Sequence, residues 1–353
     1  MKEVGFSLPY TSYALYFRVV MKTLNNRQSA FTIVELLIVI VVIAILAAIT
    51  IVAYNGMQDK AKQAAMSTEL AQWKKKSELY KIDKGIICPL NYAFVYGNTT
   101  LGTSDFCVMK YEATNVGGIA TSVASGTPWI NITQTSAMST SMAACSGCHL
   151  ITEAEWMTLA ADVLTVKYNW TGGVVGSGYV YSGHSDSLPA SALAASADDA
   201  DGYNGTGDSS TSNNGQKRTH YLSSGDVMWD LAGNILEWTT GTLTGAQPGL
   251  STDNVDGTTL ATKQWTAAGL NWNSLVTSSR PSALASVAGL TNISTWSSSQ
   301  GIGTLVSNQN QTATRAFLRG GAWNNTGSTG ILTLNLIYTP SGGGPTVGFR
   351  VAR

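Results

Sequence analysis

Charge is scarce in this sequence. Only 12% of its 353 residues are Asp, Glu, Lys or Arg, about half the ~25% of ordinary soluble domains. The 21 acidic and 21 basic residues cancel. Without a basic face there is nothing to track a phosphate backbone, so a nucleic-acid partner is excluded. The one basic run, Lys74-Lys75-Lys76, has Glu69 and Glu78 beside it and reads as a solvated helix face. Histidine is nearly absent: His149, His184 and His220 are the only three. None has a metal-binding spacing such as H-x-x-x-H, and no hydrolase arrangement stands out. The four cysteines, Cys88, Cys107, Cys145 and Cys148, permit two disulfides in an exported chain, with three connectivities open. A chain this long also folds without them, so buried thiols are the other reading. Cys88 and Cys107 flank a turn-rich loop and are one candidate pair.

Apolar residues make up 44%, enough for a real core. Ser, Thr, Gly and Asn replace the missing charges, which points to a β-rich, loop-rich surface held by neutral hydrogen bonds. Residues 36–53, LLIVIVVIAILAAITIVA, carry no charge and are long enough to span a bilayer. No small-residue cleavage site follows them cleanly, which speaks against an ordinary secretory signal. From Met57 to Lys84 there is neither Gly nor Pro, so the helix continues. Residues 31 to about 82 then form one helix of ~75–80 Å. Its first half is apolar all round and its second half amphipathic.

The residues before the apolar run carry a resemblance. Arg27-Gln28-Ser29-Ala30 ends a short basic stretch in a small residue, and Phe31-Thr32-Ile33-Val34-Glu35 follows. This resembles the type IV prepilin signal, with cleavage between Ala30 and Phe31. Ala30 stands where that family has Gly. The resemblance implies a prepilin peptidase, other pilin subunits and the membrane as partners. It gives Glu35 a role in filament assembly. A carboxylate in lipid needs a partner, and the amine freed on Phe31 of a neighbouring subunit supplies one. Met21 is read as the initiator, which makes Met21–Ala30 a ten-residue leader. The organisation expected is a leader over 1–30, a pilin helix over 31–84 with its membrane span at about 33–53, and a globular domain over 85–353.

The clearest helix beyond residue 84 begins in HLITEAEWMTLAADVL, where Thr152 and Glu155 have capping-box spacing. Trp156, Leu159, Ala160 and Val163 then give it an apolar face. LITEAEW, DLAGNILEW, FLRGGAWNN and GFRVAR occur in that order. Together they resemble the formylglycine-generating-enzyme family, whose sulfatase-modifying-factor fold is related to C-type lectins. The fold class expected is therefore α+β: a long helix followed by a loop-rich lectin-like domain.

Function does not travel with fold. The family's oxidases bind copper through a Cys pair before the GFR block, and WNNTGSTGILTLNLIYTPSGGGPTVGFR has no Cys or His. No copper and no enzyme activity are expected. The C-S-G-C-H run over 145–149 fits a haem-attachment pattern, but His149 immediately precedes the capped helix, and no haem is expected. The resemblance does imply structural Ca²⁺, held by Asp230, Gly233, Ile235 and Glu237, with Asp201 and Tyr203 as a second site; such oxygen donors suit that ion.

The stretch 319–350 is also similar to variable proteins of diversity-generating retroelements, where mutagenised AAC codons for Asn become other codons ending in C. Such codons cannot encode Trp, Met, Gln, Lys or Glu. Ala322, Asn324, Asn325, Ser328, Asn335, Ile337, Tyr338, Gly342, Gly344, Pro345 and Thr346 align with such sites, and none holds an excluded residue. Trp323, Leu334, Leu336, Phe349 and Arg350 read as scaffold. The function expected is a minor or tip pilin-like subunit, moved from the cytoplasmic membrane to a pilus or cell surface, displaying a non-catalytic domain for a protein or glycan ligand. The competing readings are a structural pilus or pseudopilus subunit and an enzyme with an unrecognised site.

Overall fold

The computed structural model describes residues 31–203, 205–206, 216–249, 260–271, 275–308 and 310–353. Residues 1–30, and with them Ala30 and the leader, lie outside the described residues. The chain divides into two compact units, Met1–Lys62 and Gln63–Arg353. In the first, the described residues are helix from Ile33 onward, part of α1 (Ile33–Lys84). Its apolar side chains are exposed, and α1 is long and apolar enough to cross a membrane.

The second unit begins with the rest of α1, and the sequence shows why it docks. Leu70, Trp73, Lys74, Ser77, Tyr80 and Lys81, spaced three and four apart, form the covered face. The Ser77 hydroxyl, fully buried, donates to Ser224 O at 2.7 Å. Tyr80 donates to Asp105 at 2.9 Å and packs edge-on against Tyr96. The Lys74 ammonium lies 2.6 Å from Asp226 and 2.8 Å from Glu78. Lys74 is therefore a docking residue, which corrects the reading of Lys74–Lys76 as one solvated face.

After α1 come β1 (Tyr92–Val95), β2 (Phe106–Met109), β3 (Thr114–Val116), β4 (Ile119–Thr121), α2 (Gln134–Ala144), β5 (His149–Leu150) and α3 (Glu153–Thr165). The second half holds β6 (Thr219–Tyr221), β7 (Val227–Trp229), β8 (Leu236–Leu243), β9 (Ala261–Lys263), β10 (Leu305–Ser307), β11 (Arg315–Arg319), β12 (Leu334–Asn335), β13 (Val347–Phe349) and β14 (Val351–Ala352). The chain is thus α+β, a long helix followed by a β-rich domain. One sheet has the order β1-β2-β14-β5, another β13-β8-β11-β12-β10-β9, and β3–β4 and β6–β7 are hairpins.

The expected capping box on α3 is present: Thr152 accepts from the Glu155 amide and Glu155 accepts from the Thr152 amide. Trp156, Leu159, Ala160 and Val163 are all buried. The four most deeply buried indoles each find a partner for the N–H. Trp156 donates to Ile331 O, Trp170 to Leu164 O, Trp238 to Ile132 O and Trp229 to Asp199. Cys88 is bonded to Cys107, which ties the segment after α1 to β2, and Cys145 to Cys148.

The four blocks singled out in the sequence meet in space. Arg319 ion-pairs with Glu153, and Arg350 with Glu237. The Gly233 amide donates to Gly320 O. Arg350 falls between β13, which lies in the six-stranded sheet, and β14, which lies in the four-stranded one. It is fully buried and donates to both Glu237 oxygens and to the carbonyls of Met109, Lys110 and Trp229. A single guanidinium thus ties together the two sheets between which the C-terminal strand switches.

Candidate recognition surface

Segment 319–350 begins and ends on buried arginines. Arg319 donates to Leu332 O and Ser279 O besides pairing with Glu153. β11 and β13 flank β8, with Arg319 and Gly348 both opposite Glu237. Between these fixed ends the chain makes two loops. The first, 322–328, leaves β11 through Gly320 and Gly321 at φ +86 and +90, a region where a Cβ is strained. The second, 337–346, starts where the Ala316 amide donates to Tyr338 O and ends where the Leu236 amide donates to Thr346 O. Ala316 pairs with Thr242 on β8, so the loop runs from residue 242 back to residue 236, about 20 Å along the strand. The Tyr338 ring lies edge-on to Trp238 under it.

These loops sort the eleven aligned positions. Asn324, Ile337 and Pro345 are exposed, and Asn325, Ser328, Tyr338, Gly342 and Thr346 half-buried. Ala322, Asn335 and Gly344 are buried, which removes them from any contact surface. A Cβ on Gly344 would come within 2.5 Å of the Tyr338 hydroxyl. Asn325 also has an internal task, accepting from the Ala322 amide at 2.8 Å. Of the scaffold residues, Leu334, Leu336, Phe349 and Arg350 are buried and Trp323 half-buried. The outward positions carry no charge. They offer amides, hydroxyls, one aliphatic chain and one phenol, a mixture suited to adaptable hydrogen bonding around apolar contact.

Two further segments adjoin this surface that sequence reasoning missed. The Ser187 amide donates to Trp323 O and the Thr326 amide to Ser185 O, both at 2.8 Å, and Leu188 beside them is 58% exposed. The Asn131 amide donates to Gly344 O, and Thr135 to Pro340 O. The only signal was turn chemistry: in Ser185-Asp186-Ser187-Leu188-Pro189 the Asp186 carboxylate accepts from the Leu188 amide.

The proposed calcium donors do not fit the ion. Both oxygens of Asp230 accept from Arg218 at 2.7 Å, and both of Glu237 accept from Arg350. Guanidinium forks already neutralise these carboxylates, so a divalent cation would face two arginines. Gly233 and Ile235 lie in the adjoining turn, where the Ile235 amide donates to Glu112. Of the second set, Tyr203 is exposed and Asp201 has another partner. Among the described residues no group of three His, Cys, Asp or Glu is placed to hold a metal. Glu112 is the third buried carboxylate here, and burial first, then the charges of Asp230 and Glu237, push its pKa well above the usual range.

Cys145 and Cys148 are bonded to each other, which leaves no thiol for haem attachment. The His149 ring meets Glu155 at 2.9 and 3.0 Å, and that partner raises its pKa above 6.5. A raised histidine pKa stabilises the fold below pH 6.5, and the contribution is lost as pH rises through the folded value. His149→Gln is therefore expected to lose more stability relative to wild type at pH 6 than at pH 9. Urea midpoints of both proteins at the two pH values check this; an equal loss at both would remove the assignment.

At the N-terminus, Phe31 is exposed. Glu35 accepts from the Thr32 amide and hydroxyl at 2.8 Å, while Thr32 accepts from the Glu35 amide. In the isolated chain Glu35 thus caps its own helix.

A family model described as the prokaryotic N-terminal methylation motif matches residues 25–51. No curated protein matches the chain at a significant level. Similar solved structures include Treponema denticola variable protein 1, at 14% identity and TM-score 0.31, over 75% of this chain and 92% of that one. The major tropism determinant P3c variant aligns at 12% identity and TM-score 0.28, over 74% of this chain and 48% of that one. This chain spans about half the length of that protein. Similarity at this level carries no functional weight. The prepilin-type motif and the apolar helix after it fit a membrane-anchored, then surface-exposed, pilin-like subunit.

Proposed function

We propose that this chain is a minor or tip pilin-like subunit that displays a non-catalytic recognition domain, with its contact surface on loops 322–328 and 337–346. Cleavage after Ala30 by a prepilin peptidase frees Phe31, and Glu35 guides assembly with other pilins. The subunit passes once through the cytoplasmic membrane before reaching a pilus or the cell surface. The observation that carries the recognition reading is the sorting of segment 319–350. Its exposed positions sit on two loops, while Arg319, Leu334, Leu336, Phe349 and Arg350 beneath them are buried. A fixed core with exchangeable loops is the arrangement that recognition needs, and diversification by a retroelement would act on those loops. The missing Cys and His in the segment support a domain without oxidase chemistry. A bulky domain also suits a minor or tip position better than the shaft.

Substitution separates surface from scaffold. Asn324→Asp, Ile337→Asp and Pro345→Asp are each expected to change stability by no more than about 0.5 kcal/mol while abolishing attachment of piliated cells to their target surface. Ala322→Asp buries an unpaired carboxylate and is expected to cost several kcal/mol. Thermal unfolding and an attachment assay on the same variants check this. Attachment unaffected by all three surface changes would sink the recognition reading. Retroelement diversification makes its own demand: differences between sibling sequences confined to the outward positions, with a reverse transcriptase and a template repeat nearby.

A further inference from the structure

A second polar cluster lies outside segment 319–350. Its centre is Lys217, just before β6. Its ammonium stands 4.4 Å from the centroid of the Tyr221 ring and 5.1 Å from that of Tyr181. The backbone holds these groups together: Ser182 bridges Gln216, and the Arg218 amide donates to Gly202 O, which places Tyr203 alongside.

What the cluster lacks is a counter-charge. The Arg218 guanidinium beside it is occupied by Asp230, and Asp199 by Lys110 and the Trp229 indole. His220 turns its Nε2 to Tyr181 O and is pushed down to about 4 by burial, so it is neutral. Among the described residues no carboxylate pairs with Lys217, and the hydroxyls of Tyr181, Tyr203 and Tyr221 make no hydrogen bond. Burial raises the pKa values of all three phenols, so they remain donors. A half-buried ammonium without an anion is costly, and desolvation pushes Lys217 down to about 8.

We propose that Lys217 and the phenols of Tyr181, Tyr203 and Tyr221 bind the carboxylate of an acidic sugar, such as a uronic acid unit of a surface polysaccharide. One point charge matches one carboxylate. Unpartnered phenol hydroxyls donate to it and to the sugar hydroxyls, and the Tyr203 ring, 56% exposed, offers a face to the pyranose C–H groups. The sign of the pH dependence follows. A bound anion favours the ammonium, so affinity is full below about pH 8 and falls above it as Lys217 loses its proton. Arg218, paired with Asp230, and the neutral His220 do not titrate there in competition, and Asp199 is already engaged by Lys110.

The test uses the full chain in detergent micelles, titrated calorimetrically with methyl β-glucuronide and with methyl β-glucoside. The glucuronide is expected to bind at pH 7 and about tenfold more weakly at pH 9, and the glucoside to bind negligibly at either. Lys217→Met keeps the aliphatic stem between the rings and is expected to lose more than tenfold in affinity, while Lys217→Arg retains most of it. No glucuronide binding at pH 7, equal binding of the two glycosides, or unchanged affinity in Lys217→Met each overturns the proposal. Tighter binding of N-acetyl-aspartate amide than of the glucuronide overturns the assignment to a sugar. A Lys217 that only packs against the rings leaves wild type silent to the glucuronide. Recognition by loops 322–328 and 337–346 stands or falls separately.

Discussion

Arg350→Met is expected to remove about 3–5 kcal/mol of stability, the loss typical of breaking a buried ion pair from one side. Against a total of ~5–15 kcal/mol, that brings the globular domain close to unfolding. The reason is what the side chain leaves behind. Glu237 is fully buried and loses its cation, and the carbonyls of Met109, Lys110 and Trp229 lose their donor. Methionine fills the volume but satisfies none of these groups. Glu237→Gln is expected to be milder. Arg350 keeps its three carbonyls, and loss of the Glu237 charge removes one of the causes that raise the Glu112 pKa, so Glu112 ionises more readily and supplies the missing negative charge. The cluster otherwise has three carboxylates, Glu112, Asp230 and Glu237, facing two guanidiniums, Arg218 and Arg350. In Arg350→Met no such rescue exists, and Glu237 must take a proton to stay buried. Its raised pKa then makes the folded state bind more protons than the unfolded one. Stability of that variant therefore falls as pH rises above the ordinary carboxylate range. Tryptophan fluorescence in urea, at pH 5 and pH 8, measures both effects. Equal losses for Arg350→Met and Glu237→Gln at both pH values would show that the cluster is not organised around Arg350.

Long-period features were legible in the sequence, and pairings between distant residues were not. The uncharged run 36–53 and the Gly- and Pro-free stretch to Lys84 announced α1, and Thr152 with Glu155 announced α3. The four short blocks do meet in space, because each holds one end of a buried ion pair or a glycine turn at their junction. α2 was missed. Its sequence, QTSAMSTSMAA, is rich in Ser and Thr, weak helix formers without apolar periodicity; the Thr133 cap that starts it is visible only with its geometry. Calcium was expected because the family resemblance placed its oxygen donors in DLAGNILEW, and those oxygens are there. Sequence could not reveal that Arg218 and Arg350 reach them first, because those arginines are 12 and 113 residues away from Asp230 and Glu237. Lys74 looked solvated for the same reason: Asp226, its partner, lies 152 residues further on. In segment 319–350 the alignment to template sites picked out positions without regard to side, and only the sheet register divides Ala322, Asn335 and Gly344 from Asn324, Ile337 and Pro345.

Gly225→Val is expected to release the second half of α1 from the domain. Gly225 has φ +79, and a Cβ there would stand 2.6 Å from Leu70 O and 2.8 Å from Lys74 Cα, closer still to the Lys74 amide. These are backbone atoms of α1, so no side chain can turn aside to make room. A left-handed non-glycine residue costs about 1–2 kcal/mol, and overpacking adds about 1–3 kcal/mol. The cheapest relief is to lift the helix. That surrenders the Ser77 bond to Ser224 O, the Lys74–Asp226 pair and the packing of Tyr80 on Tyr96. Ser77→Ala removes one of these contacts without steric conflict and is expected to cost only about 1 kcal/mol. Hydrogen exchange distinguishes lifting from global unfolding. In Gly225→Val, amides over 70–81 should exchange much faster, while those of β8 and β11 keep most of their protection. Unchanged protection over 70–81 would mean the domain yields instead of the helix. The consequence reaches function, because α1 carries both the apolar anchor and this docked face. A domain freed from residues 70–81 would still fold and still offer loops 322–328 and 337–346. On the proposed function it would be joined to a filament by a flexible tether, so assembly of Gly225→Val into pili should survive better than firm attachment through them.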